Sequence, residues 1–332
     1  MYLRFFKSSF ASQYFIIGVI GIALWTGAFL HPPVMPPPDG PTPLYTLLWE
    51  LLHETPLMAT ILGFILVLVE THWLTQILTR HELVMKNSSL SALVFLVLMS
   101  CYPEQLILNP VNIVILLLIF MLNNLLLSYN KPEHLDHVYA AGFFTAVAAM
   151  IYLPFILWFA FVIISFFIFR SGRWREWMSS LIGLCTPFIF LFSFYFWNDE
   201  FSQKLFEYRD FYRQLLVYPN PFKPDFIVIS SFTLLFAMFG LIKLWGGPTE
   251  KTVEIRAKTN IFIWIIFFSI LSFAYSRSLT VYQPALFAPA FALVITSSLA
   301  GLKKTRLMEL ILLAYFLIIL FNNLVVHELL YH

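Results

Sequence analysis

The sequence predicts an all-α protein: a polytopic transmembrane helix bundle of about eleven spans, with short interfacial helices on its outer face. Three observations lead there. Of 332 residues, 60% are hydrophobic and only 11% charged, too little polar surface to coat a water-soluble globule. The apolar residues fall in successive runs with the length of helical spans. The 20 Lys and Arg residues also divide unevenly between the segments that join those runs. Fifteen of them, Arg4, Lys7, Arg80, Lys86, Lys131, Arg170, Arg173, Arg175, Lys243, Lys251, Arg256, Lys258, Lys303, Lys304 and Arg306, can share one side. Lys204, Arg209, Arg213, Lys223 and Arg277 fall on the other. The positive-inside rule makes the first side cytoplasmic.

The first apolar run, residues 12–30, has no A-x-A-like cleavage site after it and is expected to be an uncleaved span with its N-terminus inside. A proline-rich stretch, 31–40, then lies outside. Residues 43–54 are amphipathic, with Glu50, His53 and Glu54 beside Leu47, Leu48, Leu51 and Leu52, as in a short interfacial helix anchored by Tyr45 and Trp49. Residues 57–78 return to Arg80, 89–102 go out, and 111–129 come back to Lys131. The run 138–169 is long enough for one tilted helix. Basic residues flank it at both ends, however, so it is expected to cross twice and turn near Leu153-Pro154, where proline disfavours helix at the preceding residue. Each arm then has only about 15 residues, roughly 22 Å of helix, and requires a thinned bilayer or a protein-lined recess. Spans at 178–197, 226–245, 261–275, 284–300 and 307–326 complete the count, with a second interfacial helix at 201–216. No repeat at a fixed period is visible, and residues 1–332 read as a single integral membrane domain.

The net charge of +2 leaves no concentrated basic stripe for nucleic acid. The two cysteines, Cys101 and Cys185, lie in or beside apolar runs and read as buried small hydrophobes, not as a disulfide. No cofactor motif is present: Gly246-Gly247-Pro248 is a turn signal with no phosphate-binding Lys after it. Polar residues with candidate chemistry gather outside. Asp39 sits in a loop stiffened by proline. Glu50 and Glu54 share a helical face with His53 beside them, which offers a general base or a loose metal site, or simply the wet face of an interfacial helix. Arg209 and Arg213, with Arg277 in a later outer turn, can grip a lipid phosphate or merely snorkel toward headgroups. Inside the spans Glu70 is the deepest ionisable group and therefore a functional candidate. Asn123, Asn124, Asn322 and Asn323 read as interhelical glue.

Several short stretches resemble a family of bacterial multi-pass membrane proteins that carries a domain-of-unknown-function label. They are Phe5-Phe6-Lys7-Ser8, Pro43-Leu44-Tyr45, Arg173-Trp174-Arg175-Glu176-Trp177, Leu181-Ile182-Gly183 and Thr186-Pro187. A more distant similarity is to the glycosyltransferase C superfamily, carried by the acidic first outer loop followed by an interfacial helix, by Tyr152-Leu153-Pro154, and by Arg277 with Pro284 and Pro289. Those enzymes take sugars from polyprenyl-phosphate donors and use a first-loop carboxylate as base, which the resemblance carries to Asp39, with Glu50 next. This chain differs in having a short, proline-laden first loop without a paired acidic motif.

The resemblance thus implies a bacterial inner-membrane protein acting on or beside a polyprenyl-phosphate-linked glycan at the outer leaflet. In the enzymatic version Asp39 or Glu50 deprotonates an acceptor hydroxyl, while Arg209, Arg213 or Arg277 neutralises the departing phosphate. The rival readings are a non-catalytic subunit or scaffold of a cell-envelope complex, and a transporter or lipid flippase with Glu70 as its coupling carboxylate. The expected partners are membrane lipids, a polyprenyl-phosphate sugar and other envelope proteins, with no nucleic acid, metal or cofactor.

Overall fold

The computed structural model describes residues 11–85, 88–129, 134–169, 173–213, 224–245, 252–273, 281–300 and 306–330. Among these residues helices are the only regular elements, with no strand. The α-helices are α1 (Ala11–Leu30), α2 (Pro43–Leu52), α3 (Pro56–Arg80), α4 (Leu90–Met99), α5 (Pro110–Ser128), α6 (Leu135–Ile151), α7 (Phe159–Ile168), α8 (Trp174–Trp197), α9 (Phe201–Arg213), α10 (Pro224–Trp245), α11 (Val253–Phe273), α12 (Ala288–Ala300) and α13 (Arg306–Leu330). Five segments are long and apolar enough to cross a membrane: Ser12–Leu30, Pro56–Arg80, Pro110–Ser128, Trp174–Trp197 and Val253–Ser272. Large side chains such as Phe15, Ile189, Phe190, Phe194 and Leu234 lie exposed along these and neighbouring helices. Such a surface belongs in hydrocarbon rather than water.

Side-chain contacts fix the relative directions of the helices. Gln13 meets Ser89, and Trp25 donates to the Ser100 hydroxyl at 3.0 Å, so α1 and α4 run parallel. Tyr14 packs on His72 and Trp25 on Phe64, so α3 runs against α1. Trp73 packs on Phe120, and Gly63 abuts the backbone of Ile107 and Leu108, which makes α3 and α5 parallel. The pairs His134 with Glu176, Leu135 with Ser179, and Tyr139 with Thr186 make α6 and α8 parallel. Helices that are parallel but consecutive in this way require a return segment between them. For α6 and α8 that segment is residues 153–168.

The expected turn is therefore present. Tyr152 leaves the helical region, a 3-10 helix (Leu153–Trp158) follows, and α7 brings Phe169 back against Tyr129, with ring centroids 5.0 Å apart. Two other segments behave the same way. The 3-10 helix Pro103–Gln105 follows Tyr102, and Gln283–Phe287 follows Tyr282 and leads into α12. In each case a proline in the first turn fixes φ and brings no backbone N–H. Asn109 then caps α5 by accepting from the Asn112 amide at 3.0 Å, an N-terminal donor that would otherwise lack a partner.

The bundle consequently has two distinct ends. The basic end holds Arg80, Arg173, Arg175, Lys243, Arg256 and Lys258. There the Lys258 ammonium bonds Glu254 at 2.5 Å and His81 at 3.1 Å and lies 5.5 Å above the Tyr129 ring. The proline end holds the 31–42 loop, α2, the three 3-10 helices and α9. One continuous core, centred on Trp25, Phe95, Trp158, Phe161 and Phe262, joins them.

Candidate functional site

The proline end is built from the first outer loop. Pro33, Met35 and Pro36 are buried, and the Tyr45 hydroxyl of α2 donates to the Pro36 carbonyl at 2.6 Å, tying loop to helix. Burial, and then the neighbouring Tyr282, push the Tyr45 hydroxyl above the usual tyrosine value. Gly40 takes φ +84°, and the Phe211 ring of α9 occupies the place where a Cβ would stand, 2.3 Å from the nearest ring atom. Asp39, half-buried beside it, is thus carried onto α9.

Helix α9 follows from its sequence pattern. Tyr208 and Phe211 turn inward against Leu153, Leu191, Phe192 and Tyr195. Arg209 and Arg213, one turn apart, occupy the exposed side. The Arg209 guanidinium lies 4.6 Å from the Phe206 ring centre and pairs with Asp210 at 3.3 Å. Lys204 bonds Glu207 at 2.9 Å, and that bond holds its ammonium above the ordinary lysine value.

The structure brings together some of the residues singled out by the sequence and separates others. Asp39 and the helix of Arg209 and Arg213 are neighbours. Glu50 is exposed on α2, in one stripe with Leu47, Leu51 and Glu54. His53 donates its Nδ1–H to the Trp49 carbonyl at 2.9 Å and stacks on the Trp49 ring. Arg277 lies outside the described residues. Glu70 is far from this end, wholly buried within the bundle. Among the described residues no group of three or more His, Cys, Asp or Glu is placed to hold a metal. One expectation is corrected: Cys101 is buried, but Cys185 is exposed, because its face of α8 has no packing partner. Of the four asparagines, Asn323 bonds the Leu24 and Ser100 carbonyls and Asn124 bonds His137, both between helices. Neither Asn123 nor Asn322 has a hydrogen bond that joins helices.

Beneath the loop lies a polar layer that the sequence did not announce. Gln105 donates to the Val281 carbonyl at 3.2 Å, and Gln283 donates to the Tyr152 hydroxyl. Both are fully buried, as is Asn112, and the side-chain carbonyl oxygens of all three have no hydrogen-bond partner. The unmet need is for donors, which hydroxyl groups or water supply. The only local hint was a Tyr within two residues before a Pro at 102, 152 and 282. A second missed feature is the buried His134–Glu176 pair at the basic end, 2.8 Å apart, where Glu176 also accepts from the Arg173 amide. Nothing in the charged stretch 173–177 distinguishes Glu176 from a solvated carboxylate.

A separate cavity of about 280 Å³ opens between α1, α4, α10, α12 and α13, lined by residues including Ile20, Val97, Phe236, Leu312 and Phe316. Its polar lining is Glu309 and the hydroxyl pair of Thr233 and Tyr315, the latter two 2.6 Å apart. None of the residues singled out above lines it.

Comparison with family models, with curated proteins and with solved structures found no match to this chain.

Proposed function

We propose that this chain is a multi-pass protein of the bacterial inner membrane, with eleven spans and a cytoplasmic N-terminus, that recognises a polyprenyl-phosphate-linked glycan at the outer leaflet. The span count is supported by the alternation of helix directions, taking each 3-10 helix at 153–158 and 283–287 together with the α-helix it leads into. The orientation is supported by the collection of cations at one end.

The observation that carries the functional part is the seating of the Asp39-Gly40 turn on α9 against Phe211. It seats the first outer loop against the inward face of a helix whose opposite face displays Arg209 and Arg213. Charge-assisted bonds to a phosphate are stronger than a solvated arginine's contacts with water, and the unpaired amide oxygens beneath the loop favour a hydroxyl-rich neighbour.

Purified protein in lipid nanodiscs with a labelled polyprenyl-phosphate sugar tests this. The double variant Arg209→Ala/Arg213→Ala is expected to lose binding. Asp39→Asn is expected to keep binding and lose turnover, as for a base acting in the transition state. Unchanged binding by the double variant would overturn the reading.

A second reading, a non-catalytic subunit of an envelope complex, draws on α8, which packs chiefly on α6 and leaves Phe190, Phe194 and Trp197 exposed. Co-purification of a stoichiometric partner released by substitutions on that face would favour it.

A further inference from the structure

Glu70 is set apart from every other acidic residue described. It lies fourteen residues into α3, is completely buried, and neither carboxyl oxygen has a hydrogen-bond partner. The polar group that faces it, the backbone of Leu116 on α5, is out of hydrogen-bonding geometry. The elements packed on α3 bring no counter-charge. Helices α4 and α5 contain no titratable side chain at all. Helix α1 brings Tyr14, whose ring rests edge-on to His72, and α2 brings Tyr45 and Glu50, both at the proline end. On α3 itself His72 is exposed and bonded to Gln76 at 2.7 Å. Arg80 is ten residues on, about 15 Å along the axis.

A bare negative charge among alkyl groups is among the costliest arrangements a membrane helix can hold, so a cation must accompany this carboxylate. A metal ion takes about six oxygen ligands, whereas no group of three or more His, Cys, Asp or Glu is gathered among the described residues. A proton needs only the carboxyl group. We propose that Glu70 is an intramembrane proton-binding site, its proton enclosed between α3 and α5. Release then requires those two helices to part and admit water, which links proton exchange to a change in helix packing. This holds whether or not a glycan is recognised at the proline end.

Infrared spectroscopy of the full-length protein in lipid nanodiscs at pH 7, with carbon-13 in the glutamate side-chain carboxyls, tests the proposal. The wild type should show the isotope-shifted carbonyl stretch of a carboxylic acid. Glu70→Gln should abolish that band, and Glu176→Gln, at the other buried glutamate among the described residues, should retain it. Glu70→Asp keeps a carboxyl and should move the band from the glutamate label to an aspartate label, which carries the test if the Gln variant fails to fold. A wild type without the band, or a band that survives in Glu70→Gln, overturns the proposal. So does loss of the band on adding Na⁺ at constant pH, which would assign the site to a metal ion.

Discussion

Gly142 and Gly183 set the separation of α6 and α8. A Cβ at Gly142 would stand 2.0 Å from the Ser180 carbonyl oxygen, and one at Gly183 would stand 2.1 Å from that of Tyr139. The obstacles are backbone, so neither can swing aside, and small residues of this kind are what let membrane helices approach closely. Gly183→Ala should therefore destabilise the protein by about 1–3 kcal/mol. Gly18→Ala, with nothing within 4 Å, should instead gain up to about 1 kcal/mol of helix propensity. Thermal unfolding of the two variants in detergent checks both signs, and equal midpoints would contradict the packing described. The same helix pair is joined at the basic end by His134 and Glu176. Glu176→Ala removes the acceptor for both His134 and the Arg173 amide and should cost about 1–3 kcal/mol, whereas Glu176→Gln, which keeps an acceptor, should cost less in the same assay.

Helix α9 is a separable element. Among the described residues its inward face contributes Tyr208 and Phe211 to a small cluster apart from the main core, so it should loosen before the bundle does. Gly40→Ala adds a methyl group where Phe211 stands and demands a positive φ that alanine rarely adopts. It should raise proteolysis within 198–213 several-fold and leave membrane insertion unchanged, as read by limited digestion of intact vesicles. The Lys204–Glu207 bond adds a pH dependence whose sign is fixed. A lysine held above its unfolded value contributes stability in full below about pH 10.4 and loses it as pH rises through the folded value. Digestion of α9 should accordingly stay flat through neutral and mildly alkaline pH and rise only above that point. Glu207→Gln should remove the dependence. The contribution is small because both side chains are partly exposed.

At the scale of the whole molecule, the features readable from sequence are those that depend on near neighbours or on simple sums. Helix positions followed from apolar runs, and α2 and α9 from their amphipathic spacing. The double turn at Leu153-Pro154 followed from cations flanking 138–169 and from a proline in its middle. Glu70 stood out because a carboxyl in an apolar run is visible without any knowledge of its surroundings. The amide layer was hidden for the opposite reason: Gln105 with Val281 and Gln283 with Tyr152 are 176 and 131 residues apart, and no local pattern tells a buried glutamine from a wet one. Burial also changes which positions can report the topology, since Thr42, expected to lie outside, is covered. Glu54, Glu200, Trp174 and Thr252 are exposed. In a Cys101→Ala/Cys185→Ala background, Glu54→Cys and Glu200→Cys should be labelled by an impermeant thiol reagent in intact spheroplasts. Trp174→Cys and Thr252→Cys should be labelled only after lysis. The contacts between α6 and α8, and between Phe169 and Tyr129, put residue 174 at the same end of the bundle as residue 81, so external labelling at 174 is incompatible with a membrane lying across those helices as proposed. Labelling at 252 alone would instead displace only the later spans, leaving the proline end and its first-loop carboxylate where the proposed function needs them.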